Sequence, residues 1–283
     1  VRTWQLLSEP EAGSDLANVK TTATEDGDDY IINGQKVYVG SSHGCDYMWT
    51  ITCTDSEAPR HQNLGWFMIP YNASGITVLP MDLLSSAGES GAGSGVKNVV
   101  YFDNVRVPAF NLVGGKNEGW KVATTHLELE HGTGGRIARN WLVDRVFDYC
   151  KDNNRRGRPL SQDSDVRDRL IDIYIDAEIG RLFQLRNYWM RHSGVNTTYE
   201  GPQASYQRKT SGLRMAHAIL DIMGPAALTK DSELGAGEGY FESHQRAAII
   251  ALHPGGTTDI QKVIMARRIG IGREIREQAG ALA

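Results

Sequence analysis

The sequence has no unbroken apolar run approaching the roughly 20 residues that span a bilayer, so no membrane-spanning helix is expected. No signal-peptide pattern opens the chain. Its three cysteines, Cys45, Cys53 and Cys150, are odd in number and lack metal-ligand spacing. That argues against a disulfide framework and a bound metal, and for a reducing, cytoplasmic compartment. Positive charge is not in excess: 30 Lys and Arg face 34 Asp and Glu, a net charge of −4. The electrostatic case for nucleic acid or an anionic membrane is therefore missing. There is no internal repeat. What remains is a chain of 283 residues, 40% hydrophobic and 23% charged, long enough for two globular domains.

The two halves differ in period. Residues 1–116 read as β structure. "DYIINGQKVYVG" is predicted as a hairpin turning at Asn33-Gly34, and "YMWTITCT", "LGWFMIPY", "ITVLP" and "VKNVVYFDNVRVP" as further strands closed by turn residues. No helical period interrupts them, so an antiparallel barrel or sandwich is expected rather than a βαβ sheet. "SSAGESGAGSG" (85–95) has the composition of a flexible loop. Residues 117–283 read as helical. One long helix is predicted from Gly119 to about residue 152, others over 166–191 and 202–223, and a last one in "TTDIQKVIMARRIG". The expected fold class is thus α+β and multidomain: an antiparallel β domain followed by an antiparallel four-helix bundle. Gly132, Gly134 and Gly135 fall inside the first helix, where they serve either a kink with tight packing or the close approach of a ligand.

Five motifs carry chemistry. They are "SEPEAGSD" (8–15), "INGQKVYV" (32–39), "FDNVRVP" (102–108), "GGKNEGW" (114–120) and "GGTTDIQKVIMAR" (255–267). The first is a turn of small residues that lets backbone N–H groups and the Ser8 and Ser14 hydroxyls approach a ligand. The last reads as a loop feeding a helix N-terminus, where free N–H groups attract polar or anionic ligands. Together, in this order, they resemble the acyl-CoA dehydrogenases, FAD enzymes that place a double bond between the α and β carbons of an acyl-CoA. The resemblance covers nearly the whole chain, apart from the family's N-terminal helical domain, which has no counterpart.

The resemblance implies site residues. Ser8 falls where the family bonds the flavin ring, and Gly13 and Ser14 where it meets the flavin pyrophosphate or coenzyme A. Tyr38 falls where an aromatic packs on the isoalloxazine; by itself a strand aromatic is ordinary core. Gly40 stands where the family usually has a hydroxyl near the flavin N5, and Ser41 is the neighbouring candidate for that role. Thr257 and Asp259 match FAD-contacting positions. Many members carry a catalytic glutamate immediately before the Gly-Thr of this loop, but here Gly255 occupies the place. Another branch carries the base on the preceding helix, and Gly119-Trp120 aligns Glu130 with it. Glu128 points about 160° away around a helix of 3.6 residues per turn, so only one of the two can serve. An α C–H beside a thioester needs a stabilised carbonyl and a carboxylate of raised pKa. His131 stands where arginine is common and is either a coenzyme A or flavin contact or a surface histidine.

Two motifs depart from the family. Its arginine-and-phenylalanine motif for the FAD pyrophosphate is reduced to "NNRRGRPL" (153–160), where Arg155 or Arg156 is either a replacement or part of a surface basic run. Its Gln-x-Phe-Gly-Gly segment is reduced to "LDIMGPAAL" (220–228). The expected activity is FAD-dependent dehydrogenation of an acyl-CoA in fatty acid or steroid side-chain catabolism. Electron-transferring flavoprotein is the expected acceptor, and the enzyme a homo- or hetero-oligomer. The alternatives are a half-site subunit of a heteromeric enzyme, or an oxidase or flavin monooxygenase of the same fold.

Overall fold

The structure, a computed structural model, describes all residues except 42, 82, 85–96, 134–139, 231–232 and 272–283, together with the backbone but not the side chains of 128–133. The predicted flexible loop, Gly134 and Gly135 therefore lie outside the described residues. The chain forms two compact units, Val1–Thr133 and Gly134–Ala283.

The first unit is built on one sheet. Its strands are β1 (Thr3–Leu6), β2 (Thr22–Asp26), β3 (Asp29–Val39), β4 (Tyr47–Cys53), β5 (Leu64–Pro70), β6 (Ile76–Met81), β7 (Lys97–Pro108) and β8 (Leu112–Val113). Their order is β6-β7-β3-β2-β4-β5-β8, with β1 added parallel to β4. Among the described residues no pairing joins β6 to β8, so the sheet stays open and the barrel alternative drops out. Helix α1 (Gly119–Thr133) belongs to this unit by its contacts. Apolar residues are buried in two clusters. Leu6, Ile32, Met48, Phe67 and Val105 form one; Ile51, Leu64 and Trp66 form the other, with Ala123 of α1. Burying a side chain of this size contributes about 1.5–3 kcal/mol each.

The predicted hairpin at Asn33-Gly34 does not form. β3 continues through both residues, with a register shift against β7 between Ile32 and Gly34, and the turn lies earlier, at Gly27-Asp28, since Asp26 pairs with Asp29. The cause is pairing on both edges. β3 is hydrogen-bonded to β2 on one side and to β7 on the other, which outweighs the local turn preference. Asn33 uses its side chain across the sheet, accepting from the Asn104 N–H at 2.8 Å. Gly34 is required for close approach rather than for a turn: a Cβ there would lie 2.7 Å from Thr21 Cα.

The second unit is helical: α2 (Trp141–Asp152), α3 (Ser164–His192), α4 (Glu200–Met223), α5 (Tyr240–Ile250) and α6 (Thr258–Arg268). A two-residue turn at Arg156-Gly157 joins two short strands, β9 (Asn154–Arg155) and β10 (Arg158–Pro159). The single helix predicted from 119 to 152 is two helices. α2 has its own start, with the Asn140 side chain capping the Leu142 N–H at 3.1 Å. α5 was absent from the sequence reading, so the unit holds five α-helices among the described residues rather than four. Its signal was the spacing of Phe241 and Ala248, the two buried residues of that helix. The core joins Val146 and Cys150 of α2, Leu170 and Ile173 of α3, Ile219 and Ile222 of α4, and Phe241. Ion pairs Arg214–Asp176 and Arg169–Asp221 tie α4 to α3 in antiparallel register. No described helix is long and apolar enough to cross a membrane.

Candidate cofactor site

In the first unit, the motif at residues 8–15 is a tight turn. Glu9 and Ala12 exchange backbone hydrogen bonds at 3.0 and 3.2 Å, leaving Gly13 and Ser14 exposed beyond them. The turn is anchored by charge. The Glu9 carboxylate accepts from the N–H of Lys20 at 2.5 Å and of Thr21 at 3.1 Å, and pairs with Lys36 Nζ at 2.8 Å. Lys36, fully buried, also donates to the carbonyls of Leu7 at 3.1 Å and Ile51 at 2.7 Å. All three ammonium protons are thus engaged. Burial alone would raise the Glu9 carboxyl, but Lys36, the Lys20 N–H and the Thr21 side chain together hold it below its ordinary value. Burial pushes the Lys36 ammonium down to about 8, which leaves it charged at neutral pH.

The turn meets the end of β3. The Val37 N–H leaves the ladder to donate to the Ser8 carbonyl at 2.9 Å, and the register of β3 on β7 shifts between Lys36 and Val39. This bulge carries Tyr38 at φ 60, a left-handed conformation that is strained for a tyrosine. Its ring is 60% exposed, so it is not core. The next residues are buttressed from β7: Lys97 Nζ donates to the Gly40 carbonyl at 2.9 Å, and Asn98 Nδ2 to those of Val39 at 3.0 Å and Ser41 at 3.2 Å. The Ser41 hydroxyl accepts from the His43 N–H at 3.4 Å. The structure therefore brings Ser8, Tyr38, Gly40 and Ser41 together at one sheet end. Asp15, beside Ser14, is held by Arg60, whose hydrogen bond keeps its carboxyl below the ordinary range. Glu130 and His131 lie on α1, and their side chains lie outside the described residues.

In the second unit, Thr257 is the N-cap of α6, its hydroxyl accepting from the Ile260 N–H at 3.2 Å. Asp259 is exposed in the first turn and pairs with Lys262 at 3.2 Å. Gly255 and Gly256 both have positive φ, 64 and 80. Two side chains missed from sequence hold this loop by its carbonyls. Buried Lys209 of α4 donates to Ala251 at 2.9 Å and Pro254 at 2.5 Å, and buried Gln261 donates to Gly255 at 2.8 Å. Arg155 is committed to the end of α4, donating to the Ile222 carbonyl at 2.6 Å, while Arg156 is exposed at the hairpin turn with φ 53.

An exposed aromatic on a rigid bulge beside a hydroxyl, a residue with no side chain, and a small-residue turn are suited to a flat polar ring with an anionic tail. The donor set thus fits a flavin nucleotide. The pattern described as "Acyl-CoA dehydrogenase, middle domain" matches residues 5–105, and "Acyl-CoA dehydrogenase, C-terminal domain" matches residues 117–270. The fold and site thus define a middle β domain followed by helices of one flavoprotein class. The chain belongs to the acyl-CoA dehydrogenase family. It is 30% identical over 267 residues to acyl-CoA dehydrogenase FadE29 of Mycobacterium tuberculosis, covering 92% of this chain and 65% of that protein. The ChsE4-ChsE5 complex of the same organism superposes with a TM-score of 0.83 at 26% identity, over 95% of this chain and 68% of that one. A protein titled Tcur3481-Tcur3483 steroid ACAD superposes with a TM-score of 0.82 at 26% identity, over 93% and 66%. The chain spans just under two thirds of the length of FadE29.

Proposed function

We propose that the chain carries the flavin and acyl-CoA sites of an FAD-dependent enzyme that desaturates an acyl-CoA thioester between its α and β carbons. The observation that carries this reading is the strained, exposed Tyr38 held beside Ser8 in a chain of this family. Tyr38 offers its ring face to the isoalloxazine and Ser8 its hydroxyl to the ring edge. Ser14, at the open end of the turn beside Gly13, serves the pyrophosphate or coenzyme A, with His131 as a second coenzyme A contact. Thr257, Asp259 and Arg156 are the further proposed FAD contacts in the helical unit, since Arg155 is taken by the Ile222 carbonyl. Bound FAD supplies the hydride acceptor. Glu130, on the family alignment of α1, takes the α proton as general base. Electron-transferring flavoprotein is the proposed acceptor, and the soluble cytoplasm the proposed compartment. The steroid title of one similar structure favours a bulky acyl group.

The test is anaerobic addition of a panel of acyl-CoA thioesters to the FAD-loaded protein. Loss of the flavin absorption with the wild type, abolished in Glu130→Gln, is expected. Bleaching that survives in Glu130→Gln would remove that residue from the role.

Oligomerisation, homomeric or heteromeric, is proposed on a separate observation. One face of α3 exposes Ile171, Ile175, Ile179, Leu182, Leu185 and Trp189 at helical spacing. A partner chain covering this face would also accommodate a half-site arrangement, and one similar structure is itself a complex of two proteins, ChsE4 and ChsE5.

A further inference from the structure

A buried ion pair is weak evidence for stability, because an apolar pair of similar volume often serves as well. Glu9–Lys36 does something an apolar pair cannot: it grips backbone from three separate segments. Lys36 holds the carbonyl of Leu7, just after β1, and that of Ile51 in β4. Glu9 holds the N–H groups of Lys20 and Thr21 ahead of β2. Ser8 lies between two gripped residues, Leu7 and Glu9. Its own carbonyl takes the N–H of Val37, the residue between Lys36 and Tyr38. The pair therefore grips the residues on both sides of Ser8 and stands two residues from the bulged tyrosine.

We propose that Glu9 and Lys36 are positioning residues for the cofactor: the pair sets Ser8 against Tyr38, and with that spacing the affinity and the spectrum of the bound flavin. This rests on the flavin reading above. Neither side chain is accessible, at 4% and 0% exposure, so neither touches the cofactor and both act through the backbone they hold.

The test compares the parent chain with Glu9→Leu/Lys36→Met, which removes both charges and leaves neither buried alone. Val107→Ala, a fully buried core position, is the reference for simple loss of stability. Each is titrated with FAD, its long-wavelength flavin band recorded and its thermal midpoint measured. The double variant is expected to show a dissociation constant raised about ten-fold or more, with a displaced band. Val107→Ala should lose stability with affinity and band unchanged. Should the double variant fail to fold, Glu9→Gln carries the same comparison, since it keeps the shape and one acceptor. Parental affinity and band in a folded variant would overturn the proposal while the flavin reading stood. A parent chain that takes up no FAD would instead overturn the flavin reading, and this proposal with it.

Discussion

Trp4 fills the space that a side chain at residue 40 would need. A Cβ on Gly40 would lie 2.2 Å from Trp4 Cδ2 and 2.3 Å from Cε2, and the residue has a φ of 59. The indole is itself wedged edge-on against Tyr71, with ring centroids 5.5 Å apart. The indole of Trp4 on β1 occupies the space that any side chain at this position would need.

Gly40→Ala should consequently destabilise the protein by about 1–3 kcal/mol through overpacking. In a Trp4→Leu background the same substitution should cost less, because the clash is with the indole. A double-mutant cycle on denaturant midpoints measures the coupling, and strict additivity would show that the left-handed backbone alone sets the penalty.

Tyr38 stores strain in a left-handed conformation, of order 1–3 kcal/mol for a non-glycine residue. Tyr38→Gly should relieve part of it and raise the melting temperature of the cofactor-free protein, while FAD affinity falls because the ring is lost. Stability and affinity moving in the same direction would refute this division of roles.

The Glu9 carboxyl titrates below its ordinary 4.5 in the folded state. A lowered carboxylate pKa means that the unfolded chain binds the proton first. Its contribution is fully present above the ordinary value and is lost as pH falls through the folded one. Glu9→Gln should therefore be less stable than the parent at neutral pH, with the gap closing in acid. Denaturant midpoints recorded across this range test it, and a gap that widens in acid would contradict it.

The apolar face of α3 predicts association. Ile175→Glu and Leu182→Glu, both at exposed positions, should lower the sedimentation mass while leaving helical circular dichroism unchanged. An unchanged mass in both variants would free this face of the role.

Local chemistry was legible where it depended on neighbouring residues alone. The small-residue turn at 8–15, the helix start after Gly255-Gly256 and the helices α3, α4 and α6 all follow from short-range spacing. The signal failed where pairing partners came from afar. Asn33-Gly34 has the strongest short hairpin signature in the chain, yet strands on both sides hold β3 extended. The bulge between Lys36 and Val39 shifts the alternation of faces: Tyr30, Ile32 and Lys36 are buried on one parity and Val39 on the other, so the alternation gives no hint that Tyr38 faces outward. The split of the 119–152 helix rests on the Asn140 cap, a single polar residue in an otherwise continuous helical period.

What the amino-acid sequence determined by itself is the two-part division into strands and helices, and the family, because these depend on periodicity and contiguous motifs. Only the tertiary structure decided which of those motifs become a site. It bent β3 so that Tyr38 leaves the core, put Trp4 beneath Gly40, and buried Lys36 against Glu9 across 27 positions of chain. Such contacts join residues distant in sequence, and their free energy comes from desolvation and close packing that no local stretch of residues encodes.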